Sequence, residues 1–101
     1  MWSIEKYCGD LEDFLEDNAE VNADNLGGFT SGVSLRITAL ACRLEFSKNS
    51  SNPQIFAIRE KLFYLSRWVL KHPESVANDE FRAEVLFAVA QVYQAIEWGL
   101  I

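Results

Sequence analysis

Residues 52–73 read NPQIFAIREKLFYLSRWVLKHP, and this stretch has the clearest helical pattern in the chain. Its apolar side chains recur at steps of three and four residues, the period of an α-helix with one buried face; they are Ile55, Ile58, Leu62, Leu65 and Val69. Asn52 suits a helix start because its side chain accepts from free backbone N–H groups, and Pro53 suits the first helical position because it has no N–H. The helix is predicted to end before Pro73, since proline disfavours helical geometry in the preceding residue.

The N-terminal half predicts two more helices with a loop between them. Apolar residues at steps of three and four across positions 4–15 indicate the first helix. The stretch Asn22–Gly32 is predicted to be a loop, because it contains several glycines and asparagines. Thr30 or Ser31 is then expected to cap a second helix that runs to about Lys48.

A fourth helix is predicted near the C-terminal end. Asn78 is its expected cap, and Gly99 is its expected stop after Trp98. Short connections between helices of this length favour antiparallel neighbours. The chain is therefore predicted to be one all-α domain, residues 1–101, folded as a compact antiparallel bundle of about four helices.

The composition excludes several classes of protein. Half of the 101 residues are apolar, too many for a disordered tail, yet no apolar run approaches the length of about 18 residues that a membrane-spanning helix needs. The N-terminus lacks the basic start and apolar stretch of a secretory signal, so a cytoplasmic protein is expected. Cys8 and Cys42 are then expected to be reduced and structural. With His72 as the single histidine and no paired cysteines at ligand spacing, no metal or cofactor is predicted.

The negative charge of the chain is concentrated near its N-terminus. Residues 1–24 carry eight acids and one base, whereas the remainder carries seven acids and eight bases. Several acids are four residues apart, and each like-charged pair at this spacing destabilises a helix by about 0.2–0.5 kcal/mol. Bases on neighbouring helices would offset this repulsion, as would a basic partner, or the acids form a solvated face that only aids solubility. The predicted partner-binding acids are Glu5, Glu12, Asp13, Glu16, Asp17 and Glu20.

Four aromatic residues fall on the polar sides of the predicted helices. Tyr64 and Trp68 lie on the third helix, and Phe87 and Trp98 on the fourth. Exposed aromatic side chains are enriched where proteins bind one another, so these four are predicted to be partner-binding anchors.

Two arginines lie among apolar positions of the helices. Arg59 and Arg82 either pack their stems and extend their guanidinium groups to water, or form an internal ion pair with an acid of the first helix. The sequence leaves both arrangements open.

The second helix carries two apolar stripes on nearly opposite sides. One contains Val33, Ile37, Leu40 and Leu44, and the other contains Leu35, Ala39, Cys42 and Phe46. A helix in a monomeric bundle needs only one such stripe. The second is expected to be covered by the Asn22–Gly32 loop or by another copy of the chain, which predicts a homodimer interface there.

The sequence contains no recognisable catalytic or nucleic-acid-binding motif. It lacks a phosphate-binding loop and a nucleophile elbow, and the bases of the third helix are scattered around its circumference. We therefore expect no enzyme, no nucleic-acid partner and no membrane attachment. The predicted function is that of a small acidic protein that binds and inhibits a basic protein partner, as immunity proteins, antitoxins and anti-defence inhibitors do. The alternative is a dimeric helical structural or adaptor module whose acidity only aids solubility.

Overall fold

The computed structural model describes residues 2–17 and 20–101, and the regular structure within these ranges is entirely helical. The α-helices are α1 (Ile4–Asp17), α2 (Leu26–Glu45), α3 (Pro53–Lys71) and α4 (Asp79–Glu97), and a short 3-10 helix (Pro73–Ala77) lies between α3 and α4. They pack into a bundle with principal extents of 41 × 23 × 22 Å. The predicted all-α bundle of about four helices is confirmed.

The predicted ends of α3 are confirmed. The Asn52 side chain accepts from the backbone N–H of Gln54 at 2.8 Å and of Ile55 at 3.4 Å, and Pro53 occupies the first turn. The helix ends at Lys71, and His72 leaves helical geometry with φ −130° and ψ 70° ahead of Pro73. Proline tolerates the first turn of a helix, and the 3-10 helix, which the sequence pattern did not predict, begins at this proline.

Both predicted ends of α4 are also confirmed. The Asn78 side chain accepts from the Glu80 backbone N–H at 2.7 Å, so it satisfies one of the free donors of the first turn. The helix ends at Glu97, and Gly99 adopts a φ of 75°, where residues with a Cβ are strained. Glycine therefore allows the chain to turn after the helix.

The predicted start of α2 is wrong. The helix begins at Leu26, so the glycines expected in the loop are helical, and neither Thr30 nor Ser31 is its cap. The turn before it is closed by two asparagines: Asn22 Oδ1 accepts from the backbone N–H of Asp24 at 2.9 Å, and Asn25 Oδ1 accepts from the backbone N–H of Asn22 at 2.8 Å. These side-chain bonds compete with continued helix upstream of Leu26. At its other end α2 stops at Glu45, short of Lys48.

Gly32 lies in α2 where this helix and α1 approach closely. A Cβ at this position would overlap the Phe14 ring of α1. That ring lies 5.3 Å from the ring of Phe29, which is buried at the start of α2. Glycine at this position costs about 1 kcal/mol in helix propensity, and it makes room for the Phe14 ring between α1 and α2.

The core is formed by the predicted apolar stripes of all four α-helices. Each of α2 and α4 contacts both α1 and α3, and within the described residues α1 and α3 do not contact each other. The five predicted core positions of α3 are all buried, as is the first stripe of α2. The remaining buried apolar residues include Ile4, Cys8, Leu11 and Leu15 of α1 and Phe81, Val85, Ala88, Val89 and Val92 of α4.

A small polar cluster joins α2 to α3 inside the bundle. The hydroxyl of Ser66 lies 2.8 Å from that of Ser34 and 2.6 Å from that of Thr38. Each serine hydroxyl also lies within hydrogen-bond distance of the backbone carbonyl of the other serine, at 3.3 Å for Ser34 and 3.2 Å for Ser66. Because Ser34 and Ser66 are buried, these bonds replace the water that the hydroxyl groups lose on folding.

Candidate protein-binding surface

The acids of α1 lie on the side of the helix that faces away from the core. Its buried side chains contact the other helices, and this leaves Glu5, Asp13, Glu16 and Asp17 exposed and Glu12 half-buried. We call these five residues the acidic face of α1. Glu20 is exposed as well, and it lies outside α1.

One acid of the N-terminal region is neutralised within the fold. Asp10 pairs with Arg36 of α2, with 3.2 Å between Oδ2 and Nε, and the same guanidinium lies 3.8 Å from the centre of the Phe14 ring. Among the residues that the structure describes, no member of the acidic face forms an ion pair within 4 Å. None of the described bases therefore forms an ion pair with these acids, although Arg82 of α4 lines the same groove as Glu12 and Glu16.

The two arginines singled out in the sequence have other partners. Arg59 is largely buried. Its Nη2 lies 3.9 Å from Oε1 of Glu60 on the same helix, and its Cζ lies 4.8 Å from the centre of the Phe56 ring. Arg82 donates from Nε to the Val76 carbonyl at 2.8 Å. The ion pair with an acid of the first helix that was considered for them is formed by Arg36 instead.

Glu12 connects the acidic face to α4. The Tyr93 hydroxyl donates to Glu12 Oε1 at 2.8 Å, and burial together with this bond raises the pKa of Tyr93. Next to it lies an open groove of about 380 Å³, lined by Glu12, Leu15, Glu16, Arg82 and Leu86. The acidic face of α1 therefore borders one edge of α4.

The four aromatic residues predicted to be anchors are exposed. The exposed fractions are 67% for Phe87, 60% for Trp98, 48% for Tyr64 and 39% for Trp68. Trp68 is held in place by its neighbours, because it donates from Nε1 to the Ser75 hydroxyl at 3.1 Å and its ring lies 4.0 Å from that of His72.

These aromatic residues and the acids lie on different sides of α4. Trp98, Phe87, and the pair Tyr64 and Trp68 line three successive grooves along α3 and α4. The acidic face belongs to α1, which contacts α4 but not α3 within the described residues. The structure thus does not bring the predicted acids together with all four predicted aromatic anchors. Of the four, Phe87 is the one that also lies on the exposed side of α4, opposite its buried residues.

The second apolar stripe of α2 is uncovered. Leu35 is 68% exposed and Phe46 is 72% exposed, while Ala39 and Cys42 are half-buried. The loop that was expected to cover this stripe ends at Asn25, and the residues after it form α2 itself. The second copy of the chain therefore stays a prediction, whereas cover by the loop is wrong.

Sequence reasoning missed an exposed apolar surface on α4. Leu86 is 42% exposed, and Ala83 and Ala90 are exposed beside it. The signal was present in the sequence, because Leu86 and Phe87 fall outside the helical stripe formed by Phe81, Val85 and Val89. Of the two, Phe87 alone was identified from the sequence as an exposed residue.

The two cysteines have the surroundings of structural residues. Burial, followed by the nearby carboxylates of Glu12 and Glu5, raises the pKa of Cys8 to about 12, so this thiol is protonated at neutral pH. Cys42 is half-buried, and both cysteines are free. The part of the chain that the structure describes contains no group of three or more His, Cys, Asp or Glu side chains positioned to hold a metal ion.

Comparisons with known proteins do not identify a relative. No family model, no curated protein and no solved structure matches the chain. In residues 2–17 and 20–101, none of the helices combines the length and the apolar character needed to cross a membrane.

Proposed function

We propose that this protein is a small non-enzymatic inhibitor that captures a basic partner protein through the acidic face of α1. The observation that carries the proposal is the exposure of Asp13, Glu16 and Asp17, which form no ion pair with any other described residue. Lysines and arginines of a partner would supply positive charges to pair with these three acids. Immunity proteins, antitoxins and inhibitors of defence systems are the type of protein proposed.

The electrostatics of α1 favour such a partner. Glu12 with Glu16, and Asp13 with Asp17, are like-charged pairs four residues apart on one helix, and each costs about 0.2–0.5 kcal/mol. A basic surface placed over them turns this repulsion into attraction. The field of the acidic face also speeds the encounter with a positive surface, and added salt screens it. Occupation of a basic surface by carboxylates would exclude the phosphate groups of a substrate from that surface.

Affinity capture from the cells that express the chain tests the proposal. The variant combines three substitutions at exposed acids of α1, Asp13→Asn, Glu16→Gln and Asp17→Asn. We expect the unchanged chain to retain proteins of net positive charge at low ionic strength and to release them as salt is added. The variant is expected to lose these proteins while its circular dichroism spectrum stays the same.

A matched control distinguishes an effect of the acidic face from an effect of the net charge of the chain. The substitutions Glu45→Gln, Glu60→Gln and Glu74→Gln remove the same number of negative charges from exposed positions outside α1. This control is expected to capture the same proteins as the unchanged chain. If control and variant lose them equally, or if the variant retains them, the acidic face of α1 is not the binding surface.

The uncovered stripe of α2 supports the second candidate, a dimeric structural or adaptor module. Leu35 and Phe46 are the two most exposed large apolar side chains in the described residues. Burial of large apolar side chains between two copies would stabilise a dimer. Equilibrium sedimentation tests this: we expect a dimer for the unchanged chain and a monomer for Phe46→Glu. A monomer for both rules out this interface.

A further inference from the structure

The outer side of α4 carries an apolar stripe opposite the core. Ala83, Leu86, Phe87 and Ala90 recur at steps of three and four, and all four are exposed. At about 100° per residue they fall within one sector, on the far side of the helix from Phe81, Val85 and Val89. Polar residues normally occupy this position on a bundle helix, so the stripe is not explained by packing within the chain.

Carboxylates surround this stripe. Six acids border it, and they are Asp79, Glu80, Glu84 and Glu97 of α4 together with Glu12 and Glu16 of α1. Two bases lie at its edges, and both are engaged: Lys61 pairs with Glu84 at 3.6 Å, and Arg82 donates to the Val76 carbonyl. Six acids against two bases leave the rim of the apolar stripe with a net negative charge.

We propose that the outer side of α4 is the docking site for an amphipathic helix of the partner, with leucine-like residues on its contact face and lysines or arginines along both edges. This inference rests on the proposed function and specifies which segment of the basic partner is bound. Apolar contacts with Leu86 and Phe87 supply desolvated anchors, and the acidic rim selects the basic edges.

The spacing of the stripe fits a helix. Ala83 and Ala90 are two helical turns apart, and the bulky Leu86 and Phe87 lie between them, so small and large residues alternate along the axis. Such a surface accepts the side-chain ridge of a second helix, and small residues allow the backbones to approach closely. Helix-in-groove binding of this kind uses anchors at the same three- and four-residue steps.

The negative charge of the rim argues against a second copy of the chain as the occupant of this α4 site. Two copies joined through α4 would place their acidic rims against each other, and the chain has a formal charge of −6. Like charges brought together at an interface are destabilising. A basic helix meets the same rim with attraction.

Fluorescence anisotropy with labelled synthetic peptides tests the site on the full chain. The probe is an amphipathic peptide of about 18 residues, the length of α4, with leucines on one face and lysines elsewhere. A second peptide has glutamate in place of every lysine. We expect the lysine peptide to bind at least about tenfold more tightly than the glutamate peptide. Equal affinities, or no binding of the lysine peptide, overturn the inference.

The chain offers a closely matched pair of variants. Leu86→Ser with Phe87→Ser removes the anchors from α4, and Leu35→Ser with Phe46→Ser makes the same change on the exposed stripe of α2. The α4 variant is expected to lose about tenfold in affinity for the lysine peptide, and the α2 variant less than about twofold. Equal losses, or an unchanged affinity of the α4 variant, overturn the site.

The α1 charge variant, measured in the same titration, separates this inference from the proposed function. If Asp13→Asn, Glu16→Gln and Asp17→Asn weaken binding of the lysine peptide while the α4 variant does not, the helix site is wrong and the acidic face stands. If the α4 variant weakens binding and the α1 variant leaves both the peptide and the cellular capture unchanged, the helix site stands and the proposed role of α1 is wrong.

Discussion

The Tyr93 hydroxyl donates a 2.8 Å hydrogen bond to Glu12 Oε1 and so ties α4 to the acidic face of α1. The bond gives Glu12 a fixed position, whereas Glu16, one turn further along α1, is exposed and has no hydrogen-bond partner among the residues that the structure describes. Glu12 therefore makes a structural contact with α4 and also lies at the edge of the candidate protein-binding surface.

Tyr93→Phe is expected to destabilise the fold by about 1 kcal/mol, because it removes one hydrogen bond and leaves the ring in place. Thermal unfolding followed by circular dichroism measures the loss. Glu12→Gln keeps an acceptor for the hydroxyl and should cost less. If Tyr93→Phe leaves the unfolding temperature unchanged, the bond does not contribute to stability.

Gly32→Ala and Gly28→Ala are expected to shift stability in opposite directions. A Cβ at position 32 overlaps the Phe14 ring, and this overpacking is expected to cost about 1–3 kcal/mol. A Cβ at position 28 has nothing within 4 Å, so alanine there should stabilise α2 by up to about 1 kcal/mol. Denaturant unfolding compares the two. The cost at position 32 should shrink in a Phe14→Leu background, and an equal cost there would argue against the ring as its cause.

Ser66→Ala is expected to destabilise the fold by about 1–3 kcal/mol. The Thr38 hydroxyl loses its partner on α3, the Ser34 hydroxyl keeps only the Ser66 carbonyl, and a polar group without a partner inside the bundle is costly. Ser31→Ala, at an exposed position of α2, is the control and should have little effect. Equal unfolding midpoints for the two variants would mean that the polar cluster adds nothing.

The two cysteines are expected to differ in reactivity. In the folded chain a thiol reagent such as Ellman's reagent should modify Cys42, which is half-buried, and spare Cys8, which is fully buried and has a raised pKa. Both should react in denaturant. Rapid modification of Cys8 in the native Cys42→Ala variant would contradict its burial.

Stability is expected to fall as the pH rises above about 9. The folded state raises the pKa of Cys8 from 9.0 to about 12, so it keeps the thiol proton that the unfolded chain releases. The stabilisation is complete below pH 9 and is lost as the pH approaches 12. Tyr93 acts in the same direction above its ordinary pKa of 10.0. Denaturant unfolding between neutral and alkaline pH checks this, and Cys8→Ala should reduce the slope that begins near pH 9.

Sequence patterns predicted α3 and α4 well because their ends depend on neighbouring residues. Asn52 and Asn78 each cap the turn that follows them, and Pro73 acts on the residue before it. The start of α2 could not be predicted in this way. Gly27, Gly28 and Gly32 have low helix propensity, and only the folded chain shows that the space beside Gly32 is filled by the Phe14 ring of α1.

The composition of the candidate surface was partly predictable. The acids of α1 and the exposed aromatic residues followed from helical periodicity, which tells whether a side chain faces the core. Periodicity within one helix does not tell which exposed residues of different helices become neighbours. For that reason the separation of Tyr64, Trp68 and Trp98 from the acids was not foreseen, and Leu86 was missed.

Local interactions within a few residues were enough to specify an all-α chain, the boundaries of its last two α-helices and the outward direction of its acids. Only packing between helices settled that Asp10 is the N-terminal acid paired with a base of another helix and that Glu12 is bonded to Tyr93. The physical reason is the range of the forces involved. Helix periodicity and capping act over about four residues, whereas these contacts join residues that are far apart in the sequence and meet only in the folded bundle.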